Sequence, residues 1–205
     1  MNLSPITLTG QLAQLEPLAP EHLQEIQLAA ADGELWQLFF TSVPAPEKTA
    51  DWLKLALQMQ ESATALPFVV RDLSTGKIVG TTRFCNIDSK NQRLEIGYTW
   101  YSQSVQRSGI NTECKLMLLS HAFETLGCIA VEFRTDWFNK RSQAAIERLG
   151  AKRDGVLRNH MVQADGRIRD TVVYSIIQNE WPGVKANLRY FLQRGARNQA
   201  AIDPA

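Results

Sequence analysis

The segment from Arg93 to Asp136 constrains the fold more than any other. "RLEIGYTW" (Arg93–Trp100) alternates apolar residues as a strand does, and "VQRSGINTECKLMLLSHAF" then runs through a short loop into a helical pattern. That helix, Asn111 to Leu126, stops at Gly127, and "IAVEFRTD" (Ile129–Asp136) is β-rich again. Strand, helix and strand in this order make a crossover between parallel strands, and such crossovers are right-handed. The rest of the chain has to be built around that unit.

Upstream, "ITLTGQLAQLEPL" predicts two short strands meeting at Gly10, and "PEHLQEIQLAAAD" a helix started by Pro20, with Leu23, Ile26 and Ala30 on one face. "EKTADWLKLALQMQES" predicts a second helix with Trp52, Leu55 and Met59 on one stripe. "PFVVRD", Ser-Thr-Gly and "KIVGTTRF" form a hairpin signal. Downstream, "NKRSQAAIERL" is a short helix with Asn139 as N-cap and Gly150 as its stop, and "RDTVVYSII" is the last strong strand. "RNHM" (Arg158–Met161) belongs to a late strand or a loop. The tail holds one amphipathic helix, "VKANLRYFLQR", and then frays. The fold class is α/β, a mixed central sheet flanked by helices, with one domain over residues 1–182 and a helix and frayed tail over 183–205.

Composition excludes several classes. The chain has 205 residues, and its 22 Lys plus Arg against 21 Asp plus Glu leave no global field to recruit nucleic acid or an anionic membrane. The start "MNLSPITLTG" lacks the basic and apolar regions of a signal peptide, and no apolar run is long enough to span a bilayer. Three cysteines without CxxC spacing and three histidines argue against a disulfide framework or a metal site, and a cytoplasmic location is expected.

The loop before the long helix carries the functional signal. A helix N-terminus offers unpaired N–H groups and a partial positive charge, which suit a phosphate or pyrophosphate. Gly109 leaves the backbone approachable and tolerates unusual φ values, while Gln106 and Arg107 add a donor and a charge. A Gly before a helix is also ordinary punctuation, and neither G-x-G-x-x-G nor Gly-Lys-Ser/Thr is present.

The order strand, "QRSGIN", helix, strand, "NKRS", helix, Gly resembles the GNAT superfamily of acyl-CoA-dependent N-acetyltransferases, in particular its RimJ/RimL-like ribosomal-protein N-terminal acetyltransferase branch. In the family's loop pattern, Gln/Arg-x-x-Gly-x-Gly/Ala, the marked places are held here by Gln106, Gly109 and Asn111. Asn111 stands where a small residue is usual and is expected to cap the helix. Asn139 matches the family's crossover Asn, and Gly150-Ala151 replaces its helix-terminal Gly-Phe. The similarity runs from about Leu8 to Trp181.

The resemblance implies that acetyl-CoA is the co-substrate and that no metal is needed. The coenzyme would lie where Arg93–Trp100 and Ile129–Asp136 splay apart, against Gly97, Tyr98, Thr99 and Trp100. Gln106, Arg107, Ser108, Gly109, Ile110, Asn111, Asn139 and Ser142 would complete its seat. Glu95 matches the strand glutamate that serves as general base in histone-type members; paired with Arg93 or Arg134 it would be only structural. The Tyr that many members place seven residues after the crossover Asn is Ile146 here; Ser142, at a place where members of this branch use a Ser, is expected either to substitute as the acid or only to satisfy the helix start. Trp36, Phe39, Phe40, Trp52 and Trp100 are expected either to wall an acceptor groove or to be core. His160 is a second candidate base.

The acceptor is an amine, either a protein N-terminus or a small molecule such as a polyamine, an amino acid or an antibiotic. Arg83 and Arg134 leave open a larger acyl group such as succinyl, and the missing Tyr leaves open a non-catalytic coenzyme sensor. No nucleic acid or membrane partner is expected, and a homodimer is left open.

Overall fold

A computed structural model describes residues 3–202, with side chains through Arg194. The crossover is present and sits mid-sheet. The strands are β1 (Leu8–Thr9), β2 (Ala13–Pro17), β3 (Ala65–Asp72), β4 (Ile78–Asp88), β5 (Arg93–Tyr101), β6 (Ala130–Asp136), β7 (Lys152–Val162) and β8 (Ile168–Ile177). They form one sheet in the order β1-β2-β3-β4-β5-β6-β8-β7. The neighbours β5 and β6 run parallel, and the other pairs are antiparallel. The helices are α1 (Leu23–Ala31), α2 (Thr49–Glu61), α3 (Ile110–Ser120), α4 (Lys140–Leu149) and α5 (Trp181–Ile202).

Strand alternation sorts the apolar residues to two faces. On one face Phe84, Leu94, Ile96 and Val131 pack with Cys114 and Leu118 of α3, Ile146 and Leu149 of α4, and Val184 and Leu188 of α5. On the other, Val69, Ile78 and Trp100 pack with Ile26 and Ala30 of α1 and Leu53 and Ala56 of α2. Glu113 ties the first strands to α3. Its carboxylate accepts the N–H groups of Gln11, Leu12 and Ala13 at 2.8, 2.7 and 2.9 Å. Gly10 has no side chain for a related reason: a Cβ there would lie 2.4 Å from that carboxylate.

Asn139 caps α4, its Oδ1 accepting the Ser142 N–H at 3.0 Å, and Gly150 ends α4 at φ 104°. Both were expected. Of the two readings of "RNHM", the strand is the one found: it lies in an edge strand, β7, whose mostly exposed residues give no alternating burial. Two features differ from expectation. The helix α2 buries Thr49, Leu53 and Ala56, whereas Leu55 is 57% exposed. The tail helix runs unbroken to Ile202, and the end expected to fray after it lies outside the described residues.

Candidate active site

The strands β5 and β6 pair over only three positions, Arg93–Ala130, Leu94–Val131 and Glu95–Glu132. Beyond Glu95 they part. β6 continues along β8 as far as Asp136 opposite Thr171, while β5 continues along β4 to Tyr101 opposite Gly80. The edge of β5 that faces β6 therefore has no ladder partner past Glu95, and unpaired backbone groups line one side of a V.

A bulge deforms β5 inside that V. Arg83 pairs with Gly97 and Thr81 with Trp100, so Tyr98 and Thr99 together face Thr82. Tyr98 takes φ 51°, a left-handed value costly for an aromatic residue. The bulge turns Tyr98 onto the face of Arg83 and Gly97, and Thr99 onto the opposite face, where its hydroxyl meets that of Thr82 at 2.8 Å.

Glu95 occupies the last paired position before the split and is 7% exposed. Asn86 Nδ2 donates to its Oε2 at 2.7 Å, and Arg134 Nε lies 3.4 Å from the same oxygen. Oε1 has no hydrogen bond among the described residues. It lies 2.8 Å from the position a Cβ on Gly97 would take, with Cys85 Sγ at 3.1 Å from the same point. Any side chain at Gly97 would displace the carboxylate. Burial pushes the Glu95 pKa up, opposed by the Asn86 hydrogen bond and the Arg134 charge. The result is a partly desolvated carboxyl with one oxygen held and one free.

Lys115, on α3, enters the V from the other face and is 5% exposed. Its Nζ donates to Thr99 Oγ1 at 2.8 Å and lies 6.0 Å from the centre of the Phe133 ring on β6, so the amine spans the gap between the parted strands. Burial pushes its pKa down to about 8. No sequence pattern marked this residue, since a lysine on an otherwise apolar helix face looks like an exposed one.

At the loop, the N-cap of α3 is Gly109, at an ordinary φ of −70°. Its need is space: a Cβ would come 2.6 Å from Leu12 Cδ1. Asn111 does not cap the helix, as it was expected to. It is the second residue of α3, and Ser108 Oγ ahead of the helix accepts the Ile110 N–H at 3.3 Å instead. The Asn111 Oδ1 is left buried without a partner among the described residues. Arg107 is exposed in a left-handed conformation, φ 68°. The Gln106 side chain turns inward, donating to the Tyr101 carbonyl at 2.9 Å and accepting from Arg141 at the start of α4. The beginnings of α3 and α4 are thereby held together at one end of the V. Ser142, half-buried in the first turn of α4, makes no side-chain hydrogen bond among the described residues.

The other expected site residues scatter. Trp100 is buried and meets Trp52 edge-on at 6.3 Å, so this pair belongs to the core. Trp36 sits in a short turn (Leu35–Gln37), and Phe40 packs edge-on against Phe39. Phe39 in turn lies 4.9 Å from the Arg167 guanidinium and 6.0 Å from Phe138. His160 is exposed on β7 and contacts Thr171 Oγ1 at 3.1 Å. Two strands, β6 and β8, separate β7 from β5, so the backbones at His160 and Glu95 are about 14 Å apart at normal strand spacing.

The same fold is found among solved acetyltransferases. The family description "Acetyltransferase (GNAT) domain" matches residues 13–152. The chain belongs to the GNAT acetyltransferase family. A GCN5-related N-acetyltransferase from Brucella melitensis shares 30% identity at a TM-score of 0.84, over 93% of this chain and 86% of that one. The "Putative ribosomal N-acetyltransferase YdaF" of Bacillus subtilis is 29% identical over 177 residues, 83% of this chain and 92% of its own, which agrees with the likeness to the RimJ/RimL-like branch. The microcin C7 self-immunity acetyltransferase MccE, solved with acetyl-CoA and AMP, shares the fold at a TM-score of 0.70 and 20% identity, over 82% and 93%. This GNAT chain is thus an N-acetyltransferase, and acetyl-CoA-dependent transfer to an amine is general to its family.

Proposed function

We propose that the protein transfers an acetyl group from acetyl-CoA to a primary amine by direct attack within the V, with Glu95 as general base. The observation that carries this reading is the placement of a buried, half-satisfied carboxylate at the point where β5 and β6 part. Acetyl-CoA supplies an acyl carbon activated as a thioester. The open edge of β5 and the Asn111 Oδ1, without a partner among the described residues, suit the polar groups of its arm, and the start of α3 suits its phosphates.

Glu95 Oε1, the free oxygen, accepts the proton of the incoming ammonium, while Asn86 and Arg134 hold Oε2 and keep the group oriented. Burial makes the carboxylate a better base than an exposed glutamate. The Ser142 hydroxyl, free of other bonds in the first turn of α4, donates to the departing sulfur. That role needs no strong acid, because a thiol pKa is only about 8.5.

A covalent acyl-enzyme does not fit. Cys85, Cys114 and Cys128 are all buried. Burial raises each thiol, Cys114 to about 12 and Cys128 to about 11, away from the reactive thiolate. Three reduced, buried thiols suit a reducing cytoplasm.

The test is release of free thiol from acetyl-CoA by the purified protein with pooled amines. Turnover that depends on an amine supports transfer. Tight coenzyme binding without turnover across the panel would make the protein a sensor.

A further inference from the structure

Arg83 is 2% exposed, and no carboxylate lies within ion-pair distance of it among the described residues. Its guanidinium is stacked instead, 4.0 Å from the Tyr98 ring centre and 5.3 Å from that of Trp52. Its one hydrogen bond goes to a weak acceptor, the Met59 sulfur, at 3.2 Å. Buried charges are normally paired, because desolvating an ion costs several kcal/mol that stacking alone only partly offsets. Arg169, on β8, is a second, partly buried guanidinium whose charge acts on both Glu95 and Tyr98. Its side chain makes no hydrogen bond among the described residues, its Nε is buried, and its nearest carboxylate oxygen is Asp136 Oδ2 at 3.9 Å.

The neighbouring acids are already engaged. Glu132 takes Arg93 and Arg134, Asp136 takes Arg167 at 3.0 Å, and Glu95 takes Arg134. Arg83 is left without an ion-pair partner among the described residues, and Arg169 has only the distant Asp136 oxygen; Arg83 stacks on Tyr98, which sits in the bulge. Arg83 stands opposite Gly97, and Glu95 lies two residues away on the same face of β5. That is about 7 Å along the backbone, so both groups belong to the same face of the sheet beside the split.

We infer that the acceptor amine carries a carboxylate, received between Arg83 and Arg169 beside Tyr98 while its nitrogen meets Glu95. The acceptor class is amino-acid-like, and a plain polyamine or an uncharged protein N-terminus lacks the group that would pair Arg83. One carboxylate suffices, since Asp136 already offsets part of the Arg169 charge. The inference rests on the proposed role of Glu95 as base.

The experiment compares matched acceptors by thiol release from acetyl-CoA: α- and β-amino acids, the carboxamides of the same compounds, spermidine, and peptides with amidated C-termini. The carboxylates should exceed their carboxamides by about tenfold to a hundredfold in kcat/KM, the cost of leaving a buried charged donor unpaired. Arg169→Gln should collapse that ratio towards one. Arg83→Gln should do the same, and if it fails to fold, Arg169→Gln decides alone. Equal rates for acids and amides in the wild type, or a ratio that survives Arg169→Gln, would overturn the inference and leave the transfer reading standing. Preference for succinyl-CoA with neutral amines would overturn it too, by assigning the carboxylate to the acyl donor. Thiol release with no acceptor would overturn both readings.

Discussion

Lys115 occupies a position on α3 where a leucine would pack at less cost. Its folded pKa, about 8, lies below the ordinary lysine value of about 10.4, so between these pH values the unfolded chain binds more protons than the folded one. Stability should therefore rise with pH across that window, and Lys115→Met should abolish the rise while adding about 1–3 kcal/mol at pH 7, as read by urea unfolding. Glu95 shifts the other way. Its pKa is raised in the fold, so the stability tied to its protonated form is present at acid pH and is lost as pH climbs through the raised value. Glu95→Gln keeps an acceptor for Asn86 and removes the buried charge. The variant should unfold at pH 7 with a stability equal to the wild type within about 0.5 kcal/mol, or higher. A loss of several kcal/mol would make Glu95 a structural partner of Arg134.

Among the elements, the β1–β2 turn is held by a single carboxylate. Glu113→Ala removes the acceptor for three backbone N–H groups, all in at least partly buried hydrogen bonds, and should cost about 3 kcal/mol or more by chemical denaturation. Glu113→Gln should cost less, since its amide still accepts. The crossover β5–α3–β6 was legible in the sequence because "RLEIGYTW" and "IAVEFRTD" alternate and Gly127 marks the stop between them. The α4 cap was legible because Asn before a helical run has one common use. β7 was legible only as a strand or a loop, because an edge strand with nearly all its side chains in water carries no period of two. The bulge was not legible: nothing local marks Tyr98 as left-handed, and its conformation follows from fitting β5 against β4. Asn111 misled because its type suits a cap while Ser108, two residues before the helix begins, does that work. Parity in β5 set Glu95 opposite Leu94, Ile96 and Tyr98, which holds for the first two, whereas the bulge brings Tyr98 to the Glu95 face; the link to Asn86 and the space over Gly97 needed the third dimension.

At the scale of the whole molecule, the sheet divides the labour. The face covered by α3, α4 and α5 carries the larger core and brings two helix starts to the mouth of the V. The face covered by α1 and α2 carries Glu95, Arg83 and Tyr98. Donor and acceptor can then approach from different sides and meet at the split, with no intermediate held on the protein. Varying both substrates should give intersecting rather than parallel reciprocal plots, and mass spectrometry of enzyme incubated with acetyl-CoA alone should show no added acetyl group on a cysteine. The most direct test of the central claim is the pH profile of kcat/KM for Glu95→Gln against the wild type, with the best acceptor from the amine panel. A base at Glu95 predicts a deficit of about 10²–10⁴-fold at pH 7 that shrinks as pH rises and neutral amine becomes abundant. A small deficit, constant from pH 6 to about pH 10 where a lysine-like amine is half deprotonated, would contradict it.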